Sequence, residues 1–491
     1  MRALFPWVDF SNFGIMQTHN VVGGALSPAV HSAVGEILMA SVGDHYIAGD
    51  GRVNENFGLT SIHHIFHEEH NFQVENLMQA LHVQDIATND TTHEKLHSFQ
   101  IDTGHGMNAA GDYLNQDGSI AWDMDKMFNA TKLIVEMEYQ HAAVDQYARN
   151  VSPNIQEFVG YSPDKDPGVT LEYAQGAFRF GHSTLRETID TIDPTGGLTG
   201  KIMGYALRDA FLNPDKYGQI GPSAILLGMS HQQMNEVDEF VTPALNQGLL
   251  GQPLDLAAIN IARGRDIGLP TLNDFREAIG LARYTSWTDF GQNMQHPTSL
   301  VNFIAAYSFD GDMNKAKAIV GLVDGSIAEG SVEAMGYSAA AALAFLNGGN
   351  TGFNQIDTWL GGLAEIHQPG GILGETFDKV FVTQIESLMD GDRFYYLYRL
   401  AGQQFGQEVA NGQLKDIVER NTGLTHLNGN IFGYADQYVD LGAKKEVVAV
   451  GAEAQTTGNE HKYGDIAAVD SGAMGIYSNG GLSNLNDGKV I

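Results

Sequence analysis

The segment "LDLAAINIARGRDIGLPTLNDFRE" (residues 254–277) is the most informative stretch of the chain. An apolar run leads into three charged residues, Arg263, Arg265 and Asp266, and a Gly-Leu-Pro turn follows them. Guanidinium groups this close to apolar sequence need partners, because a desolvated cation without one is costly. The pattern by itself predicts an internal arginine–aspartate network that braces a loop.

Composition limits the function classes. The chain has 491 residues and a hydrophobic fraction of 43%, which suits a large globular core, and no apolar run is long enough to span a membrane. A formal charge of −32 disfavours nucleic acids and anionic membranes as partners. With no cysteine, thiol catalysis, thiolate metal sites and disulfides are excluded. The first twenty residues are too weakly apolar for a signal peptide, so export would need another route.

Apolar periodicity predicts a mainly α-helical protein with long irregular connections. We predict helices over 59–81, 123–150, 177–189, 197–212, 275–284 and 376–389. Residues 1–445 are interpreted as one domain, in which the small-residue-rich stretch 308–350 is an insertion or a flexible helical excursion. Residues 446–491, rich in glycine, asparagine and serine, are interpreted as a tail or linker.

Histidines are the candidate metal ligands. His63 and His67 lie one helical turn apart, but the surrounding letters match neither zinc-protease motif, so a metal site there is disfavoured. His182, in "AFRFGHSTL" (177–185), lies on a predicted helical stripe with Arg179 three residues earlier. Taken alone, this pattern favours an ordinary core histidine, and a metal or cofactor ligand is the alternative.

Five segments, in order, resemble the animal haem peroxidase family. They are "AGDGRVNENFGLTSIHHIFHEEHN" (48–71), "AFRFGHSTL" (177–185), "NIARGRDIGLP" (260–270), "IDTWLGGLAE" (356–365) and "LMDGDRFYY" (388–396). The resemblance covers roughly residues 45–440 and implies the family's mainly α-helical fold, with haem b as cofactor.

The resemblance assigns the proximal side of the haem. His182 matches the histidine that binds the iron, and Asn260 matches the residue whose amide oxygen accepts from the other ring N–H. Arg263 and Arg179 match residues at the haem edge, where a guanidinium pairs with a propionate. A purely structural salt bridge is the alternative role for either arginine.

The resemblance also assigns the opposite side. Arg52 matches the distal arginine, whose charge orients bound peroxide. Glu55 matches the glutamate that esterifies a haem methyl in some relatives, so a covalent link through Glu55 is an open alternative. Cyclooxygenases carry a radical-forming tyrosine three residues before the proximal histidine. Arg179 occupies that position here, which favours a peroxidase over a fatty-acid dioxygenase.

One family element is missing from the resemblance. The family carries an Asp-His-Asp triplet upstream of its distal arginine, and its histidine takes a proton from hydrogen peroxide. None of the 51 residues before Arg52 reads Asp-His-Asp. We therefore expect the chain to begin inside the family's domain, and an upstream segment or partner chain to complete the distal pocket. The family's calcium site is left unassigned.

The combined prediction is a haem-dependent peroxidase. Hydrogen peroxide would be the oxidant, and small organic donors, halides or thiocyanate the reductants, with a role in the response to oxidative stress. Loss of the distal base would slow turnover by about 10²–10⁴. The alternatives are a non-catalytic haem-binding or structural remnant of a larger secreted bacterial protein and, third, a fatty-acid dioxygenase. An acidic, cysteine-free surface suits an extracellular or cell-surface location.

Overall fold

The fold is mainly α-helical, which confirms the predicted class. The computed structural model describes residues 8–12, 15–18, 46–88, 92–195, 202–247, 254–349, 351–401, 409–425, 427–433 and 445–448. No helix in these ranges is both long and apolar enough to cross a membrane. Most of the predicted tail, and His19, His31 and His45 upstream of Arg52, lie outside the described residues.

The helices are short apart from three. Those before residue 250 are α1 (Phe57–Thr88), α2 (Glu94–His97), α3 (Met124–His141), α4 (Arg149–Val151), α5 (Leu171–Gln175), α6 (Gly181–Thr184), α7 (Leu207–Ala210), α8 (Pro214–Ile220), α9 (Pro222–His231) and α10 (Pro243–Asn246). Those after it are α11 (Leu256–Asp266), α12 (Leu272–Ala278), α13 (Trp287–Gln292), α14 (Leu300–Ser308), α15 (Met313–Asp324), α16 (Ala339–Asn347), α17 (Thr358–Ala364), α18 (Glu375–Gly391), α19 (Tyr396–Arg399) and α20 (Leu414–Thr422).

Two further helix types join these elements. Single 3₁₀ turns cover Ala177–Phe180, Pro297–Ser299 and Phe353–Gln355. A π-helix, Ala142–Ala148, continues directly from α3. The predicted helix over 123–150 is therefore one continuous helical segment, α-helical at both ends with a π-helix between them.

The described strands are short and form two small sheets. They are β1 (Val8–Asn12), β2 (Ile15–Thr18), β3 (Thr188–Ile192), β4 (Ile202–Ala206) and β5 (Lys445–Val448). β1 pairs with β2 and β3 with β4, both antiparallel, while β5 adds to β4 in parallel. The β3–β4 register runs from Thr188 opposite Ala206 to Ile192 opposite Ile202.

The largest core surrounds α18. Its apolar face (Phe377, Phe381, Ile385) packs against the 3₁₀ turn Ala177–Phe180 and against Trp359 of α17. The rings of Phe180 and Phe381 meet edge-on, with centroids 6.1 Å apart. The indole Nε1–H of Trp359 donates to the carbonyl of Arg179 at 3.3 Å. This core therefore fixes the turn that leads into His182.

A second core contains much of the stretch 308–350. Residues of α15 and α16 are buried with aromatic residues of α13 and α14: Ala316, Ile319, Leu322, Ala342 and Leu346 with Trp287, Phe290 and Phe303. Asp312 caps α15 by accepting from the backbone N–H groups of Asn314 and Lys315. The stretch is an integral part of this core; its interpretation as an insertion stays a prediction.

Three predicted helices are wrong in extent. The helix over 177–189 ends at Thr184, because Leu185 adopts extended dihedral angles and the fully buried strand β3 follows. The stretch 197–212 begins instead with β4, since residues 202–206 pair with β3, and only α7 after it is helical. The helix over 275–284 ends at Ala278, just before Gly280, which has a φ of +80°. In the first two, tertiary strand pairing overrides local helical periodicity.

Candidate functional site

His182 meets Asn260 across 78 positions of sequence. The Asn260 side chain is fully buried on α11, and its amide nitrogen lies 2.7 Å from Nδ1 of His182. Asp255 fixes the start of α11 by capping the N–H of Ala258. Burial, and then the charges of Arg179 and Arg263, lower the pKa of His182 to about 4. The imidazole is therefore neutral at physiological pH, the form that binds a metal ion.

Arg179 completes this hydrogen-bonded chain. Its Nη1 donates to the Asn260 amide oxygen at 2.7 Å, its Nε donates to the carbonyl of Ala174 at 3.3 Å, and its Nη2 donates to the side chain of Gln175. All three acceptors are neutral. Burial, and then the charge of Arg263, lower the pKa of Arg179. The charged form of Arg179 is therefore disfavoured by its surroundings.

The Asn260 amide is oriented differently from the expectation. We expected its oxygen to face the ring of His182, whereas the amide nitrogen does so. The reason is that Arg179 is a donor only and takes the oxygen. For the ring to donate from Nδ1, the amide would have to turn over and release Arg179.

Arg263 lies three residues after Asn260 on α11, with an exposed side chain. Its charge acts on both His182 and Arg179. Within the part of the chain that the structure describes, neither Arg263 nor Arg179 forms an ion pair with an acid. Two uncompensated guanidinium groups therefore lie beside one neutral imidazole.

Arg265 does have an acid partner. It pairs in bidentate fashion with Asp357, the N-cap residue of α17, through N···O distances of 2.8 and 2.6 Å. This is the arginine–aspartate network expected from the sequence, although its aspartate comes from the segment 356–365 and not from Asp266. The pair joins two of the five segments that carry the family resemblance.

Arg52 and Glu55 lie in the turn before α1. The Arg52 guanidinium is 76% exposed and pairs with Asp50, with Nη2 and Oδ2 3.0 Å apart. The Glu55 side chain is half-buried, and its backbone carbonyl accepts from the N–H of Leu212. Among the described residues, no contact joins Arg52 or Glu55 to the His182 group, so their roles stay predictions.

A second histidine-centred cluster was not found from the sequence. Glu236, Asp238 and His296 each turn one ligand atom toward the others, and these three atoms lie within 4.8 Å of one another. The histidine comes 58 residues after Asp238, so no short-spaced motif marks the cluster. Only the course of the chain brings these groups together.

The His182 group suits a haem. A metal needs a neutral imidazole whose other nitrogen is held by the protein. Once the Asn260 amide turns over so that its oxygen accepts from Nδ1–H, Nε2 carries no proton and is free to bind iron. Haem also carries two propionate carboxylates, and Arg179 and Arg263 are two cations without acid partners in the described chain. The donor set and the charges both fit the group.

Comparison with known proteins decides the family. The family model for animal haem peroxidases matches residues 9–341 and 350–432, which is most of the chain. The chain belongs to the animal haem peroxidase family. His182, Asn260, Arg179 and Arg263 all fall within the matched residues.

The curated relatives are distant and longer. Thyroid peroxidase of Sus scrofa is 26% identical over 82% of this chain and 37% of its own length. Peroxinectin A of Dictyostelium discoideum is 22% identical over 79% of this chain and 57% of its own length. Peroxidasin homolog pxn-2 of Caenorhabditis elegans is 24% identical over 72% of this chain and 21% of its own length. The chain thus spans between a fifth and three fifths of the length of these relatives.

A solved structure shares the fold. Peroxidase A from Dictyostelium discoideum aligns over 79% of this chain and 60% of its own, with a TM-score of 0.55 and 21% identity. At this identity the likeness concerns the fold alone, and it agrees with the family assignment.

Proposed function

We propose that this member of the animal haem peroxidase family binds haem b and uses hydrogen peroxide to oxidise small organic donors, halides or thiocyanate. The observation that carries the proposal is the chain Arg179–Asn260–His182, in which a buried amide links a neutral imidazole to a cation with no acid partner among the described residues. The acidic, cysteine-free composition further supports an extracellular or cell-surface location.

Some of these residues would hold the haem, and Asn260 would orient the histidine that binds its iron. His182 would hold the iron through Nε2, and Asn260 would fix the plane of the ring. Arg179 and Arg263 would hold the propionates, which offer Arg179 a charged acceptor in place of the Asn260 oxygen. The bound haem would supply the redox centre for peroxide reduction.

On the distal side of the haem, the proposal depends on Arg52. Its guanidinium is a permanent cation that stabilises negative charge on a nearby peroxide oxygen. Its exposure and its pairing with the neighbouring Asp50 leave the side chain free to reorient towards a ligand. A proton acceptor for hydrogen peroxide would come from a group other than Arg52, in this chain or in an upstream segment or partner. A covalent ester through Glu55 belongs to the same proposal.

Haem titration tests the proximal assignment. Haem b would be added to the full chain, and the Soret band followed in the wild type, in His182→Ala and in the control His231→Ala. His231 is a half-buried histidine that bonds only to nearby helical groups. We expect a saturable band with the wild type and the control that is lost with His182→Ala. Equal bands in all three proteins would contradict the assignment.

Turnover tests the reaction. Hydrogen peroxide would be added with guaiacol, bromide or thiocyanate, and product formation followed in the same three proteins. Turnover that requires His182 supports the peroxidase. A band that requires His182 but gives no turnover would instead indicate a non-catalytic haem-binding module. Uptake of dioxygen with a fatty acid would indicate a dioxygenase, although Arg179 occupies the position of that branch's tyrosine.

Asn260 is a positioning residue, and its test needs a readout besides activity. Asn260→Leu removes the hydrogen bond to His182 and leaves the ring free to turn. We expect haem affinity to fall by about 10–100-fold, as for other groups that orient a metal ligand. The absorption spectrum of the bound ferric haem should also change, and Asn260→Gln should restore part of the affinity. An unchanged affinity and spectrum would show that the amide does not position the ligand.

A further inference from the structure

The Glu236–Asp238–His296 cluster has the geometry of a metal site. Nε2 of His296 lies 3.2 Å from Oδ2 of Asp238 and 3.5 Å from Oε2 of Glu236. Two ligands each about 2.1 Å from one ion in tetrahedral geometry are about 3.4 Å apart. The three ligand atoms therefore need little movement to share an ion.

The two carboxylates are already oriented. Oε1 of Glu236 accepts from the Gln295 amide at 2.7 Å, and Oδ1 of Asp238 accepts from the backbone N–H of Phe240 at 2.8 Å. Each carboxylate thus turns its other oxygen towards His296. Donors that fix one oxygen and present the other are the usual surroundings of metal ligands.

Glu239 is the independent observation that points to a ligand. Both of its carboxylate oxygens are shielded from solvent, and neither makes a hydrogen bond within ordinary distance and angle limits. Buried carboxylate oxygens without partners are rare, because their desolvation is uncompensated.

A second histidine–aspartate pair shows what a purely structural pair looks like. His82 Nε2 lies 2.7 Å from Oδ1 of Asp112, which is also buried. There the amides of Gln100 and Asn108 donate to the two carboxylate oxygens, at 2.7 and 2.8 Å. Neutral donors satisfy Asp112, whereas the surroundings of Asp238 add two more carboxylates, Glu236 and Glu239.

We propose that Glu236, Asp238 and His296 bind one divalent first-row transition-metal ion such as Mn²⁺ or Zn²⁺, whose charge would also offset that of the buried Glu239, the residue after Asp238. An imidazole ligand favours this class over Ca²⁺ and Mg²⁺, which take oxygen ligands. A cavity of about 240 Å³ opens beside Glu236, between residues 233–237 and His367, and gives an ion a route in.

The site lies on the loop that secures the proximal helix. Asn235, one residue before Glu236, donates from its backbone N–H to the carbonyl of Thr184 at 2.9 Å and from its side chain to the carbonyl of Leu185 at 2.8 Å. Thr184 ends the helix that carries His182. An ion at Glu236 therefore stabilises the segment that anchors this helix, and its binding does not depend on haem.

Manganese binding tests the proposal. The full chain would be stripped of metal with a chelator and titrated with MnCl₂, with free Mn²⁺ followed by its electron paramagnetic resonance signal, and with ZnCl₂ in competition with a chromogenic chelator. We expect one equivalent of either ion to bind, and at least tenfold weaker binding in Glu236→Gln and His296→Gln. The matched control His82→Gln should bind like the wild type. Added Mn²⁺ should raise the Tm of the wild type and the control but not of Glu236→Gln.

Three results would overturn the proposal. The first is that neither ion binds to the wild type. The second is equal binding in Glu236→Gln, His296→Gln and the wild type, which would mean diffuse attraction to an acidic surface. The third is displacement of Mn²⁺ by an equal concentration of Ca²⁺, which would exclude the transition-metal class. Metal-free circular dichroism of each variant checks folding, and Glu236→Gln is the safer variant because Glu236 is partly exposed.

Discussion

Arg276 is buried and Arg179 is half-buried, and the partners of the two guanidinium groups differ. The side chain of Arg276 is 4% exposed, and it pairs with the buried Glu365 at 2.8 Å and with Glu375 at 2.6 Å. Its other hydrogen bonds go to Thr376 and the carbonyl of Ala282. Arg179 reaches only neutral acceptors. Burial acts to lower the pKa of both arginines. For Arg276 the acid partners outweigh it and raise the pKa, whereas the pKa of Arg179 is lowered.

These two arginines illustrate two roles of a guanidinium group, a structural ion pair and a ligand-binding cation. The charge of Arg276 is balanced inside the fold, so the residue joins α12 to the start of α18 and has no capacity left for a ligand. The charge of Arg179 is not balanced by an acid in the described chain, and the natural complement is an anion from outside. A buried cation is thus better evidence for a ligand when its protein partners are neutral.

Removal of Arg276 should have the largest effect. Arg276→Met leaves Glu365, whose side chain is 2% exposed, without its cation. We expect the free energy of unfolding to fall by about 3–5 kcal/mol, because an unpaired buried charge is strongly destabilising. Urea unfolding followed by circular dichroism measures this. Arg283→Met, which breaks only exposed pairs with Asp274 and Glu277, should cost less than about 1 kcal/mol. Similar losses in both variants would refute the distinction.

Arg420 presents the opposite imbalance, because this single cation pairs with two acids, Glu69 and Glu138. This arrangement predicts that the stability of the protein depends on pH. Burial, and then the charge of Glu69, raise the pKa of Glu138 to about 8, against an ordinary 4.5. The folded protein therefore keeps this proton up to about pH 8, whereas the unfolded chain releases it near 4.5. Stability should fall as the pH rises between these values.

Glu138→Gln tests this effect. The variant should lose the Glu138 part of the decline, on the order of 2 kcal/mol, measured by urea unfolding at a series of pH values. The control is Glu136→Gln on the exposed side of the same helix, which should follow the wild type. A wild-type stability that rises with pH over this range would show that Arg420 keeps both acids ionised.

The sequence predicted individual residues better than it predicted their partners. The sequence around Arg265 predicted an acidic partner. In the structure that partner is Asp357, which lies 92 residues away, so no local sequence pattern could identify it. The stripe around His182 has helical spacing, yet its second half joins a sheet, because strand pairing with Ile202–Ala206 outweighs local preference. The amide of Asn260 turned away from the predicted orientation because Arg179 competes for its oxygen.

The family resemblance identifies residues of the candidate site, and the structure shows how they contact one another. The resemblance named His182, Asn260, Arg179 and Arg263 without showing how they meet, and the structure joins them into one hydrogen-bonded and electrostatic group. The Glu236 cluster had no such guide. Its proposed ligands come from two chain segments that no charge pattern or residue spacing connects. The cluster could therefore be identified only from the folded structure.

Replacement of Arg179 should have the smallest effect on stability, and it tests directly whether this cation serves a ligand. Arg179→Leu removes a half-buried cation together with its hydrogen bonds, and these effects oppose each other. The Asn260 oxygen is then free to turn and accept from Nδ1 of His182, so no buried acceptor is stranded. We expect the unfolding free energy of the haem-free protein to change by less than about 1 kcal/mol, while haem affinity falls by about tenfold through loss of a propionate partner. Arg179→Lys keeps the charge and should retain part of that affinity. A loss of stability as large as that of Arg276→Met, with haem affinity unchanged, would make Arg179 a structural residue and remove the charge argument for haem at this site.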